Sequence, residues 1–180
     1  CPAQCAYCYL HPLGLTKSRP EPRVSPAEVY SQLLEHTHFR KDIFGRSMSL
    51  FPICIGNYTD MCLTPSNQSY LLKLLELHKK HASDTPVCIV TKGKLTHEFL
   101  GKIDQLKLRV IFVISLSFMP ELYEVGTQPS AVRLENFSHI AEYEHIHALH
   151  YWRPITAIST PDSTTAAVQI KSLMAAKASA

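Results

Sequence analysis

The feature that most limits how this chain can fold is the run Leu108–Leu116, Leu-Arg-Val-Ile-Phe-Val-Ile-Ser-Leu. It is β-branched and aromatic with almost no polar alternation, so a strand made from it has no face to offer water and belongs inside a sheet covered on both sides. Pro86–Val90 is a second run of this kind, stopping at Thr91-Lys92-Gly93. Ser49–Ile55 reads as a third, interrupted by Pro52 and ended by the polar loop Gly56–Asp60. Ala148–Ile155 reads as a fourth, closed by Pro154.

Helical signals separate these runs. Ser25-Pro26-Ala27-Glu28 is a capping box with proline at the first helical position, and Val29, Leu33 and Leu34 continue an amphipathic helix towards about His38. A second helix starts near Pro65 and reaches about His81, with Leu71, Leu72, Leu74, Leu75 and Leu77 on its inner side. Further helices are predicted over about Thr96 to Gln105, Ser130 to about Tyr143, and Ser163 to about Ala176. Apolar strands alternating with helices are the pattern of repeated βαβ units, which places the chain in the α/β class with a parallel sheet. With 180 residues, 46% hydrophobic and 18% charged, it can bury one sizeable core and reads as a single domain.

What remains is largely featureless. Pro12–Val24 is a connector broken by Gly14, Pro20 and Pro22, and Ala-Ala-Lys-Ala-Ser-Ala at the end reads as a fraying terminus. A net charge of +3 with scattered Lys and Arg does not mark a nucleic-acid partner, nor does it exclude a basic patch made by folding. No apolar run approaches the ~20 residues of a membrane span, and there is no signal-peptide pattern.

The chemistry concentrates in Cys1-Pro2-Ala3-Gln4-Cys5-Ala6-Tyr7-Cys8-Tyr9, where three cysteines are spaced C-x3-C-x2-C. Thiolates are soft ligands for zinc, Cu(I) and iron–sulfur clusters. Such clusters normally take four thiolates, so three would leave one iron open. His11 extends the run to C-x3-C-x2-C-x2-H, a complete tetrahedral zinc set, and zinc-stabilised binding stays a competing reading. The same spacing also fits three small side chains on one face of a helix. Cys54 and Cys88 fall inside apolar runs and read as core residues rather than disulfide partners, which favours a reducing cytoplasm. Because a strand should deliver such a cysteine loop, the chain is expected to be an internal fragment of a longer protein.

In parallel sheets, ligands bind beyond the carboxyl ends of the strands. Those ends carry Gly56–Asp60, Thr91 with Lys92, Ser115 with Ser117, and Arg153. A further strand before Cys1 would put the cysteine loop at the same face; thiolates, a carboxylate, an ammonium, hydroxyls and a guanidinium on one rim suit a zwitterionic ligand bearing an amine and a carboxylate.

With these residues in place, the chain resembles the radical S-adenosylmethionine (radical SAM) superfamily, and within it the spore photoproduct lyase-like branch. The resemblance spans residues 1 to about 160. It rests on the cysteine motif with an aromatic before its last cysteine, on Thr59-Asp60, Thr91-Lys92 and Ser115, and on Tyr123-Glu124-Val125-Gly126-Thr127 with Arg133-Leu134. It implies a partial TIM-type (β/α)6 barrel of parallel strands, here lacking the first and last strands. It also implies a [4Fe–4S] cluster on Cys1, Cys5 and Cys8 whose open iron takes the amine and carboxylate of S-adenosylmethionine. One electron, from a donor such as flavodoxin or ferredoxin, would cleave the sulfonium and give a 5′-deoxyadenosyl radical that abstracts hydrogen from an unidentified substrate. Tyr7 would flank the adenine, Thr59 and Asp60 would form the amine-binding loop, and Lys92 and Ser115 would contact ribose or carboxylate. Arg133 would pair with a carboxylate or with Glu124, and Arg153 would face a polar cavity.

The chain also departs from that branch. Where spore photoproduct lyase carries a cysteine hydrogen donor, just before the Thr-Asp pair, this sequence has Asn57 and Tyr58, and Cys62 lies past the pair. Photoproduct repair is therefore not expected. His139, His145, His147 and His150 show no ligand-like spacing with a carboxylate and read as surface or strand-edge histidines.

Overall fold

The computed structural model describes residues 1, 3–8, 10–14, 24–35, 39–41, 47–49, 52–82 and 84–176. Pro2 and Tyr9 of the cysteine motif, most of the connector, the helix extension over 36–38, positions 50–51 of the third expected strand and the last four residues lie outside the described residues.

Helix α1 (Pro26–Glu35) starts where the capping box puts it. The Ser25 N–H donates to Glu28 Oε2 at 2.9 Å, and the Glu28 N–H donates back to Ser25 Oγ at 3.2 Å. An antiparallel pair follows, β1 (Phe39–Lys41) with β2 (Ser47–Ser49), then β3 (Ile53–Ile55). The strand expected over Ser49–Ile55 is thus corrected: Ser49 ends the antiparallel pair, and among the described residues of that run 53–55 join the main sheet. Helix α2 (Pro65–Ala82), β4 (Val87–Thr91), α3 (His97–Asp104) and β5 (Val110–Ser115) come next. A 3-10 turn over Glu121–Tyr123 leads to α4 (Ser130–Ile140), β6 (Ile146–Tyr151) and α5 (Ser163–Ala175). Thr96 Oγ1 accepts from the Phe99 N–H at 3.3 Å and Asp162 Oδ1 accepts from the Thr165 N–H at 2.7 Å, so α3 and α5 begin at side-chain caps. Strand β6 begins two residues before the expected Ala148 and ends at Tyr151, four before Ile155.

The fold is α/β. Its main sheet is four-stranded and entirely parallel, in the order β3-β4-β5-β6 with helices between strands. Val87, Val110 and Ile146 lie side by side in the ladder, as do Ile89, Phe112 and Ala148. These residues are buried in one cluster with Leu71 and Leu75 of α2, Phe99, Leu100 and Ile103 of α3, and Phe137 and Ile140 of α4. Full burial of each large apolar side chain contributes roughly 1.5–3 kcal/mol.

The expectation of burial on both faces is corrected. The alternate positions Cys88, Val90, Ile111 and Val113 are half-buried, and His147 and Leu149 are exposed. A run apolar at every position carries no signal that separates a fully covered face from a partly covered one. Cys54 is likewise exposed rather than core, because β3 is the edge strand and its side chain stands on the open face. Of the leucines expected inside α2, only Leu71 and Leu75 are fully buried; Asn67 and His78 share their stripe.

Candidate active site at the carboxyl ends of the strands

The parallel register brings the ends of β3 to β6 to one rim: Thr91 pairs with Ile114, and Ser115 with Tyr151. A cavity of about 400 Å³ opens there, bordered by Cys1, Cys5 and Cys8 together with Asp60, Lys92 and Ser115; Tyr7 and Arg153 border it too. Gly56, at φ +106°, lets the loop after β3 press on the sheet: a Cβ there would lie 2.4 Å from the Val90 carbonyl oxygen.

The cysteine loop is held by backbone bonds. The Cys8 N–H donates to the Cys5 carbonyl at 3.0 Å, a turn that brings the two Cα atoms within about 7 Å. The Ala6 N–H donates to the Tyr123 carbonyl at 2.8 Å, and the Gly126 N–H to the Ala3 carbonyl at 3.0 Å. The segment 123–126 therefore staples the loop from both sides. Cys5 is buried, while Cys1 and Cys8 are half-buried. Burial pushes the Cys5 thiol up from its ordinary range, and the Lys92 ammonium opposes that rise. His11 Nε2 lies 2.9 Å from the Cys5 carbonyl, where only an N–H makes a bond, so the ring keeps just Nδ1 for any ligation. Among the described residues, no group of three His, Cys, Asp or Glu side chains stands ready to hold a metal ion. The three thiols share a cavity without converging on one point. Their donor chemistry nonetheless fits a soft metal centre.

Beneath the loop lies a charged network. Glu124 is buried, and its carboxylate accepts from Arg133 Nη2, from the Tyr7 hydroxyl and from Lys92 Nζ, the last at 2.5 Å. Ser117 Oγ approaches it at 3.3 Å. Arg133 is itself buried; its Nη1 donates to the Ser115 carbonyl at 2.8 Å, while Nε has no partner. Lys92 Nζ also donates to the Tyr7 hydroxyl at 2.6 Å, and burial lowers its pKa to about 8. Burial also raises the Glu124 carboxyl, with Arg133 opposing. Arg133 thus pairs with Glu124, one of the two partners the resemblance implied.

Asp60 is engaged from within the chain. Oδ1 accepts from the Cys62 N–H at 2.9 Å and from Thr91 Oγ1 at 2.8 Å, and Oδ2 accepts from the Lys92 N–H at 2.6 Å. It ties the loop after β3 to the end of β4, and burial raises its pKa against these bonds. Thr59 Oγ1 is buried without a partner and does not line the cavity. Arg153 Nη1 reaches the Tyr151 hydroxyl at 2.8 Å, with its guanidinium 5.8 Å from that ring.

The histidines are dispersed. His139 lies against His97 with ring centroids 4.4 Å apart and the rings tilted by 44°, and His150 bonds the Leu116 carbonyl at 2.9 Å. Glu124 is named from the sequence only as a partner for Arg133; that it also receives Tyr7 and Lys92, and so belongs to the site itself, has no local signal.

Compared with protein-family models, with curated proteins and with solved structures, the chain matches none. Among the described residues no helix is long and apolar enough to cross a membrane.

Proposed function

We propose that this chain is the core of a radical SAM enzyme of the spore photoproduct lyase-like branch, acting in the cytoplasm, with its parallel sheet forming part of a (β/α)6 partial barrel. The observation that carries the reading is that Cys1, Cys5 and Cys8 border the same cavity as Lys92 and Ser115, at the carboxyl ends of a parallel sheet. Cys1, Cys5 and Cys8 are the residues that would hold a [4Fe–4S] cluster. When bound, such a cluster would supply one electron, received from a flavodoxin- or ferredoxin-type donor, for cleaving a carbon–sulfur bond of S-adenosylmethionine.

The chain's own residues bind and orient. A cavity of about 400 Å³ is within the ordinary size of small-molecule sites. Tyr7, fixed by Lys92 and Glu124, offers an aromatic surface to the adenine. Asp60 Oδ2 has one internal donor and keeps a lone pair for the ligand ammonium, close to Thr59 on the same loop. Ser115 and Lys92 would contact the ribose or the carboxylate, and Arg153 borders the same cavity. Arg133 acts through Glu124 as a positioning residue rather than by touching ligand.

The test is anaerobic reconstitution of the full chain with iron and sulfide, followed by a strong reductant and S-adenosylmethionine. A brown protein that forms 5′-deoxyadenosine, and a Cys5→Ala variant that does neither, are expected. Cluster-loaded protein that makes no 5′-deoxyadenosine overturns the reading. Purified protein carrying zinc without iron, with the zinc lost in His11→Ala, identifies a zinc-stabilised binding module instead.

A further inference from the structure

Away from the cavity, two more cysteines face each other. Cys54 at the centre of β3 and Cys88 on β4 are direct partners in the parallel ladder. Residues paired across adjacent strands project to the same face of the sheet, and their Cα atoms are separated by about 4.8 Å. That spacing lies inside the roughly 4.4–6.8 Å range that a disulfide spans. Cys54 is exposed and Cys88 half-buried, so one thiol meets solvent while the other waits beside it. The Cys54 sulfur lies 3.8 Å from Asn57 Oδ1 in the rim loop. The negative charge of a neighbouring Cys54 thiolate, after burial, raises the Cys88 thiol, which agrees with two sulfurs close enough to feel each other.

We infer that Cys54 and Cys88 form a redox-active dithiol that closes to a disulfide in exchange with a small-molecule disulfide of the glutathione class. The Cys54 thiolate attacks one sulfur of oxidised glutathione and expels one glutathione thiolate. The Cys88 thiolate then attacks the Cys54 sulfur of the mixed disulfide and expels the second. The two protein thiols lose two electrons to form one bond, the glutathione disulfide gains them, and the two thiol protons pass to the released glutathiones through solvent. The side chains leave neighbouring parallel strands side by side, about as far apart as the strands themselves. A disulfide's Cβ atoms sit closer, at about 3.5–4.5 Å, so closing the bond draws the two side chains together. It fastens the edge strand β3, and with it the Gly56–Asp60 loop, to the sheet.

The experiment treats the full chain with oxidised glutathione, blocks remaining thiols with an alkylating agent, and maps cysteine peptides by mass spectrometry without reduction. A peptide linking Cys54 to Cys88 is expected, reversed by excess reduced glutathione. A Cys88→Ser variant, checked for folding by circular dichroism, is expected to retain a stable glutathione adduct on Cys54. A wild-type chain whose Cys54 stays unmodified, keeps glutathione, or pairs with any cysteine other than Cys88 overturns the inference. These readouts need no cluster and no turnover.

Discussion

Replacing Glu124 with alanine is expected to be among the most damaging single changes in this chain. The Glu124 and Arg133 side chains are 1% and 2% exposed. Removing the carboxylate leaves the guanidinium buried with the Ser115 carbonyl and a long contact to Ser130 Oγ at 3.4 Å, while Nε already lacks a partner. Breaking a buried pair from one side costs about 3–5 kcal/mol, because the surviving charge stays desolvated. With a urea dependence of about 2 kcal/mol per molar, the unfolding midpoint falls by roughly 1.5–2.5 M. Glu98, exposed and paired with Lys102 along one turn of α3, is the control: Glu98→Ala should leave the midpoint in place. Glu124→Leu combined with Arg133→Met should recover most of the loss, since apolar replacement of a buried pair is often neutral. If Glu124→Ala shifts the midpoint no further than Glu98→Ala, the carboxylate is solvated and the argument for a buried network fails.

Three other outcomes are expected. Asp60→Asn puts an amide where three donors converge, so one is left facing an N–H; thermal unfolding should show a loss of about 1–3 kcal/mol, and an unchanged Tm would mean the loop after β3 is held by something else. Gly56→Ala must place its Cβ 2.4 Å from the Val90 oxygen at a φ of +106°; it should cost about 1–3 kcal/mol for the backbone conformation alone, and wild-type stability in this variant would refute the close approach. For Lys92, burial lowers the folded pKa to about 8 from 10.5, so between these values the unfolded chain binds a proton that the folded chain has released. Stability from this group therefore rises with pH across that window, by up to roughly 3 kcal/mol. The metal-free chain should show that rise in urea titrations and Lys92→Met should lack it; identical pH profiles would place the ammonium in water.

How far the chain could be read from its letters depended on the distance over which each signal acts. Helix starts are local: Ser25 with Glu28, and Thr96 with Phe99, make their bonds within three residues, and α1 and α3 begin where those residues fall. The buried strands were legible for the same reason, yet β1 and β2 were not. Three-residue strands such as Phe-Arg-Lys and Ser-Met-Ser have no period long enough to register. Cys54 was misread because an apolar neighbourhood looks the same on an edge strand as in the centre, and only the strand order separates them.

The candidate site divides along the same line. Its members could be named one at a time from strand ends, but what each one does depends on partners far along the chain. Asp60 reads as a free acceptor until Lys92 and Thr91 arrive from β4, and Lys92 reads as a free cation until Glu124 arrives from beyond β5. Once assembled, Lys92 and Arg133 both pair with the carboxylate of Glu124 beneath the cysteine loop. The Lys92 charge matters because burial pushes the Cys5 thiol up, and the ammonium acts against that rise. The thiolate, which is the form that ligates metals, is favoured by a nearby cation. The chain supplies it through Tyr7, whose hydroxyl bonds both Lys92 and Glu124 one residue before Cys8, so the geometry that fixes the loop also sets its charge.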